Sequence, residues 1–162
     1  MPPECFSAQI IIQTPIRLIH QRKLTDELSF RVLITTLLRK LFLLISQYGN
    51  GDYTINHKEL IELSNTITID KEDTQWYDWT RYSTRQEARI QLGGIVGSIT
   101  YSGNLTPFIP YLKIGEIIHI GKGATFGMGK YVLEIKKTDK KQEAFQRDNR
   151  CVTKEPIVLS IK

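Results

Sequence analysis

Apolar and polar positions along the chain follow two different periods. Residues 9–19 (Gln-Ile-Ile-Ile-Gln-Thr-Pro-Ile-Arg-Leu-Ile) are rich in isoleucine and partly alternate, which predicts a strand with Pro15 at a bulge or edge position. A polar loop, His20-Gln-Arg-Lys-Leu-Thr, follows. From about Leu28 to Tyr48 the period becomes helical: Phe30, Leu33, Leu37, Leu41 and Leu44 mark one stripe, and Ile34, Leu38 and Ile45 widen it. Thr25 or Asp26 is placed to cap this helix, Asp26 and Glu27 complement its N-terminus, and Gly49-Asn50-Gly51 supplies its stop. A short second helix is expected around Asn56–Ser64, with Asn56 as cap.

Residues 66–102 read as β structure in separate parts. Ile67-Thr-Ile-Asp and the run from Gln75 to Ser83 carry β-branched and aromatic residues, and Arg89 to Ser102 forms a strand with glycines at close-packing or bulge positions. Gly103-Asn104 turns the chain. Thr106-Pro107 then suits the start of a short helix from Phe108 to Ile114, which Pro110 and Gly115 keep brief. With a last strand from Tyr131, the order is βαββαβ, the plan of the α+β ferredoxin-like split βαβ fold. The expected domain covers residues 1–135. Residues 136–162 form a polar tail in which Pro156-Ile-Val-Leu-Ser-Ile adds an edge strand or stays without structure.

Within this frame the densest local signal is Gly115–Tyr131, GEIIHIGKGATFGMGKY. Four glycines (Gly121, Gly123, Gly127, Gly129) fall within nine positions, and Lys122 and Lys130 bracket Phe126. The flanking apolar runs, Ile117 to Ile120 and Tyr131 to Ile135, make it read as strand, glycine-rich loop, strand. Glycines so closely spaced cost backbone entropy unless the loop needs positive φ or a close approach to another group. Exposed amides beside two ammonium groups suit a phosphate or phosphodiester. The P-loop pattern fails because Lys130 is followed by Tyr131 and a β-like run rather than Ser or Thr and a helix. The dinucleotide and kinase patterns fail because their third glycine would fall at Phe126. Mononucleotide binding is therefore not expected.

Composition narrows the partner. The 162 residues allow one domain, or one with an extended tail, and 41% hydrophobic residues are enough for a core. A net charge of +5 with a pI near 9.2 favours an anionic partner. No run of eighteen apolar residues suggests a membrane span, and Met1-Pro-Pro-Glu-Cys does not open a signal peptide, so a cytoplasmic location is expected. Cys5 and Cys151 form neither a zinc-ligand cluster nor a CxxC pair, leaving free thiols or a single disulfide. No HxxE, HExxH or Cys/His cluster occurs, so no metal or cofactor is expected.

Four segments in order resemble one family, the CRISPR-associated endoribonucleases of the RAMP superfamily that process precursor CRISPR RNA. They are Thr14-Pro-Ile-Arg-Leu, Trp79-Thr-Arg-Tyr-Ser-Thr-Arg-Gln, Leu92-Gly-Gly-Ile-Val-Gly-Ser-Ile-Thr-Tyr-Ser-Gly, and His119-Ile-Gly-Lys-Gly-Ala-Thr-Phe-Gly-Met-Gly-Lys-Tyr. The likeness covers roughly residues 10–131. It implies two tandem ferredoxin-like domains, with the glycine loop of the second touching RNA. It also implies cleavage without metal, by attack of the RNA's own 2′-hydroxyl to leave a cyclic phosphate. This chain is expected to correspond to the second domain, with the first missing or encoded elsewhere, whereas the family's catalytic histidine usually sits in the first. The implied partners are CRISPR repeat RNA or crRNA, together with a separate first RAMP domain or a CRISPR effector complex. A non-catalytic RAMP subunit that holds crRNA is the alternative reading.

The residues expected to bind RNA are Gly121, Lys122, Gly123, Thr125, Phe126, Gly127, Gly129 and Lys130 of the loop, with Arg17, Arg22 and Lys23 near the first strand. A plain glycine turn is the competing reading, and Phe126 either stacks on a base or anchors the loop in the core. His20, in the basic run Arg17, His20, Arg22, Lys23, is the candidate general base or acid, against the reading of a solvated loop residue. His119 reads as structural and His57 as incidental. Trp76, Tyr77, Trp79 and Tyr82, interleaved with Arg81 and Arg85, are stacking platforms or half-core aromatics. The Arg81/Arg85/Arg89 spacing fits a helix or a basic strand-loop patch.

Overall fold

The structure, a computed structural model, describes residues 6–49, 56–83 and 88–137. Strand β1 runs from Phe6 to Ile16 and is followed by a tight hairpin of β2 (Leu18–His20) and β3 (Lys23–Thr25). Helices α1 (Phe30–Tyr48) and α2 (His57–Ser64) come next, then the long strands β4 (Thr68–Ser83) and β5 (Ala88–Gly103). A 3-10 turn at Thr106–Phe108 leads into α3 (Ile109–Ile118), and β6 (Tyr131–Lys137) completes the sheet. The main sheet is antiparallel in the order β4-β5-β1-β6. Leaving the hairpin and α2 aside, this is the βαββαβ order with its first strand at the centre, the ferredoxin-like arrangement expected from the sequence.

Alternation in the central strands decides which face the helices cover. Ala8, Ile10, Ile95, Ile99 and Tyr101 are buried, while Gln9, Ile11 and Ser98 lie half-buried on the opposite face. Against the first set α1 lays Phe30, Leu33, Ile34, Leu37, Leu38 and Leu41, the stripe predicted from its period. Each such aliphatic side chain contributes about 1.5–3 kcal/mol when fully buried. Phe30 meets Tyr101 and Phe108 edge-on, with ring centroids 5.0 and 4.9 Å away. The Tyr101 hydroxyl then donates to the Leu28 carbonyl at 2.5 Å, tying the chain ahead of α1 to the sheet.

Several expectations about element boundaries need correction. The polar stretch after β1 is a hairpin: Ile19 pairs with Leu24 and His20 with Lys23, across a turn in which Gln21 and Arg22 both have positive φ. That turn normally announces itself with Asn or Gly, and neither is present. Neither Thr25 nor Asp26 caps α1. Thr25 Oγ1 accepts from the Glu27 amide, a local turn, and the helix begins after Ser29 without a side-chain cap. Asn56 does cap α2, accepting from the Glu59 amide. The two β segments of residues 67–83 are one strand interrupted by a register shift between Ile69 and Lys71.

The largest correction concerns the approach to the glycine loop. Ile117 and Ile118 end α3 rather than forming a strand, so the loop joins a helix to a strand. Gly115 does not stop that helix. It lies inside it because a Cβ there would sit 2.2 Å from the Tyr131 hydroxyl, so the residue serves close packing. Pro110 lies in the first turn, where a missing amide costs nothing. Thr106 sits one place inside the 3-10 turn, with Leu105 in the capping position. Strand β6 continues to Lys137, two residues into the expected tail. Residues 138–162, Cys5 and Cys151 lie outside the described residues.

Candidate functional site

The glycine loop is built on the irregular part of β1. The register of β1 against β5 shifts between Ile12 and Ile16, as Pro15 foretold, and frees the backbone there for other partners. Gln13 and Thr14 amides donate to the Lys130 carbonyl at 2.9 and 3.1 Å, and the Pro15 carbonyl accepts from Gly129 N at 3.0 Å. Arg17 forms a parallel bridge with Gly121, its carbonyl accepting from Lys122 N at 2.9 Å. Thr14 Oγ1 accepts from Lys130 N at 2.9 Å and donates to the Gly127 carbonyl at 2.8 Å.

All four loop glycines have φ near +80°. At Gly121 and Gly129 the requirement is double, because an added Cβ would also lie 2.2 Å from the Arg17 carbonyl oxygen and 1.9 Å from that of Ile120. The loop tip is a 3-10 turn at Ala124–Phe126, closed by Phe126 N to Gly123 O and Gly127 N to Ala124 O, each at 2.9 Å. This changes the picture of a loop offering all its amides outward. Those of Lys122, Phe126, Gly127, Met128, Gly129 and Lys130 are spent within the protein. The amides of Gly123, Ala124 and Thr125 donate to no described residue. The loop is thus a rigid platform with exposed Lys122, Thr125 and Lys130 side chains and a Phe126 ring that is 60% exposed.

The root of the loop is held from α1. Lys40 donates to the carbonyls of Ile118 at 2.7 Å and His119 at 3.0 Å, satisfying the C-terminal end of α3, and burial lowers its pKa. His119 closes that helix with φ +62 and its Nδ1 lies 3.2 Å from the Met128 carbonyl, a structural position as expected. On the exit side Glu116 accepts from the amide of Leu133 at 2.7 Å, and the Tyr131 hydroxyl donates to the Leu112 carbonyl. Thr14, Lys40 and Glu116 were not singled out as site residues from the sequence. The partners of all three are remote in the chain.

The basic residues near β1 divide into two groups. Arg17 is half-buried against the loop, and its Nε is buried with no hydrogen-bond partner among the described residues. His20, Arg22 and Lys23 sit on the exposed end of the β2–β3 hairpin. Arg22 and Gln21 take left-handed conformations that cost on the order of 1 kcal/mol each without glycine. No described side chain hydrogen-bonds the His20 ring. His57 packs edge-on against Phe42 at 5.6 Å, away from the loop elements.

Alternation along β4 separates the proposed aromatic platforms. Trp76 donates to Asp78 at 2.8 Å on one face, while Tyr77 and Trp79 fall on the other, with Trp79 Nε1 buried and lacking a described partner. Arg81 and Arg89 stand on paired antiparallel strands, which removes the helical reading of their spacing. Arg85 lies outside the described residues. Among the described residues no three His, Cys, Asp or Glu gather where a metal ion could be held, and no helix is long and apolar enough to cross a membrane.

Comparison with known proteins adds to this geometry. The family model for the CRISPR-associated endoribonuclease Cas6 matches residues 10–131. Among solved structures the chain is similar to Thermus thermophilus Cas6, at 14% identity and a TM-score of 0.60, over 79% of this chain and 53% of that one. It is similar to a Cas6 product complex at 15% identity and a TM-score of 0.58, covering 79% and 50%. It also resembles part of a chain in a partial Cas6-RT-Cas1–Cas2 complex, at 19% identity and a TM-score of 0.58, covering 97% of this chain and 24% of that one. At these identities the likeness is one of fold. The chain spans about half the length of the Thermus thermophilus protein and about a quarter of the chain in the partial complex. No curated protein matches it.

Proposed function

Because the chain belongs to the Cas6 family of CRISPR-associated endoribonucleases, we propose that it takes part in CRISPR RNA maturation by gripping repeat RNA. The observation that carries this reading is the union of the glycine loop with Arg17: Lys122 is anchored on the Arg17 carbonyl, and the buried Arg17 Nε lacks a described partner. A polar donor left without a partner in a basic, preorganised setting suits a phosphate oxygen. Lys122 and Lys130 then contribute charge to a phosphodiester backbone, Phe126 offers an exposed ring for a base, and Arg22 and Lys23 extend the basic surface along the hairpin.

The cleavage step proposed for the whole protein needs no metal. A general base takes the proton from a ribose 2′-hydroxyl, the 2′-oxygen attacks the adjacent phosphorus, and the 5′-oxygen leaves with a proton, giving a 2′,3′-cyclic phosphate. His20 is the candidate base on this chain, since its exposed ring is open to solvent and to RNA. The second reading is a non-catalytic grip that works with a separate RAMP domain or within an effector complex. The proposal is for a protein acting in the cytoplasm.

The test is incubation with labelled repeat RNA in EDTA across a range of salt. Site-specific cleavage that disappears in His20→Ala assigns the base, and binding without cleavage selects the second reading. Lys122→Ala with Lys130→Ala is expected to weaken binding and to lower the salt dependence by about one to two counterions. An unchanged salt slope removes these lysines from the RNA face.

A further inference from the structure

We infer that Thr14 is a positioning residue for RNA, a latch whose hydroxyl holds Lys130 and the outgoing arm of the glycine loop in place; this rests on the reading of that loop as the RNA grip. A threonine hydroxyl has one proton to give and two lone pairs. Thr14 gives its proton to the Gly127 carbonyl at 2.8 Å and accepts the Lys130 amide at 2.9 Å. One oxygen therefore joins the end of the loop tip to the residue three places later. The neighbouring backbone completes the hold, with the Gln13 and Thr14 amides on the Lys130 carbonyl and the Pro15 carbonyl on Gly129 N. Lys130 is thus gripped at both its amide and its carbonyl by two consecutive residues of the β1 bulge.

The two Thr14 hydrogen bonds are exposed, so their contribution to overall stability is small beside that of the buried cluster. Its effect is on where Lys130 stands. A cation held before RNA arrives loses less freedom on binding than one on a mobile arm, and that difference appears as affinity. Neither main-chain contact replaces the hydroxyl, because among the described residues the Gly127 carbonyl and the Lys130 amide reach β1 through Thr14 Oγ1 alone.

Thr14→Val keeps the β-branched shape and removes the hydroxyl; Thr14→Ser keeps the hydroxyl. Each is compared with the unaltered chain by titrating a labelled single-stranded oligoribonucleotide of mixed sequence at several salt concentrations, with amide exchange at Lys130 and the unfolding transition followed in parallel. Thr14→Val is expected to weaken RNA binding about tenfold, the size set by losing two ordinary hydrogen bonds, and to raise Lys130 exchange by a similar factor. Thr14→Ser stays within about twofold of the unaltered chain, the stability lost on unfolding in Thr14→Val is no larger than the rise in Lys130 exchange, and Lys130→Ala adds little on the Thr14→Val background. Unaltered affinity in Thr14→Val, or an equal loss in Thr14→Ser, overturns the latch while leaving RNA binding intact. Failure of the unaltered chain to bind RNA overturns the grip and with it the latch's role toward RNA, even if Lys130 exchange responds to the valine.

Discussion

The α1 face of the sheet and the glycine loop are held together by different physics. Behind α1, Leu33, Ile34, Leu37 and Leu38 are 0–1% exposed and fill a cluster with Ile10, Ile99 and Tyr101. That stability comes from apolar area removed from water, is shared among many side chains, and has no preferred direction. The loop keeps only Ile120 and Met128 among its buried side chains. Its shape is fixed by left-handed glycines and by backbone hydrogen bonds to Gln13, Pro15 and Arg17. The first region tolerates exchange of one hydrophobe for another of similar size, whereas the second depends on individual atoms. A fold can thus supply a stable support from general material and a specific surface from particular residues.

The comparison is broken most severely at Leu37, which is fully buried between the sheet and α3. Leu37→Ala removes transfer energy and leaves a cavity, so a loss of about 3 kcal/mol is expected. The loss should appear as a lower midpoint in urea unfolding with an unchanged slope. At urea-free, low temperature the folded fraction should bind RNA with nearly unaltered affinity, because no loop contact is touched. A large affinity loss in the folded fraction would mean that core and loop are not separable.

Glycine substitutions sharpen the other side. Gly127 and Gly129 have the same backbone conformation, φ +78 and +79, yet differ in surroundings. An alanine Cβ at Gly127 meets nothing within 4 Å, while at Gly129 it would sit 1.9 Å from the Ile120 carbonyl oxygen. Gly127→Ala should therefore cost about 1 kcal/mol, the left-handed penalty alone. Gly129→Ala should cost roughly 2–3 kcal/mol or force the loop open, because it adds a backbone clash to the same penalty. Unfolding measurements on the two variants separate the terms, and equal losses would show that the Ile120 carbonyl gives way freely.

This division also governed what the sequence could reveal. The α1 stripe was legible because burial imposes a 3.6-residue period, and Phe30, Leu33, Leu37 and Leu41 express it without reference to any partner. The bulge at Pro15 was legible because proline lacks an amide. The glycine spacing marked the loop, but not what it rests on: Thr14 and Lys130 are 116 residues apart, and no local rule pairs them. The run Ile117 to Ile120 reads as a strand in the sequence because a short apolar run fits either state, and Lys40, which closes α3, lies 78 residues before Ile118. The β2–β3 hairpin was hidden because Gln21 and Arg22 occupy a turn usually left to Asn and Gly.

The smallest effects come from two tyrosines that stand on either side of the comparison. Tyr101 roots the chain ahead of α1 through the Leu28 carbonyl, and Tyr131 roots the loop's exit strand through the Leu112 carbonyl. Burial, and secondarily the charges of Glu72 and Glu116 respectively, raises both phenol pKa values from their ordinary 10.0. The unfolded chain therefore loses these protons near pH 10 while the folded chain keeps them. The stability they contribute is fully present below pH 10 and declines as pH rises above it. Lys40 acts in the opposite sense, since its lowered pKa lets the folded chain release a proton first, but one half-buried amine opposes two buried phenols. Stability should be level through neutrality and fall above about pH 10. Tyr101→Phe and Tyr131→Phe should each cost about 1 kcal/mol at pH 7 by leaving a carbonyl without its donor, and each should flatten the alkaline decline. If the hydrogen bonds define separate supports, amide exchange near Leu28 responds to the first variant and exchange along β6 to the second. A common response at both places would show that core and loop exit share a single support.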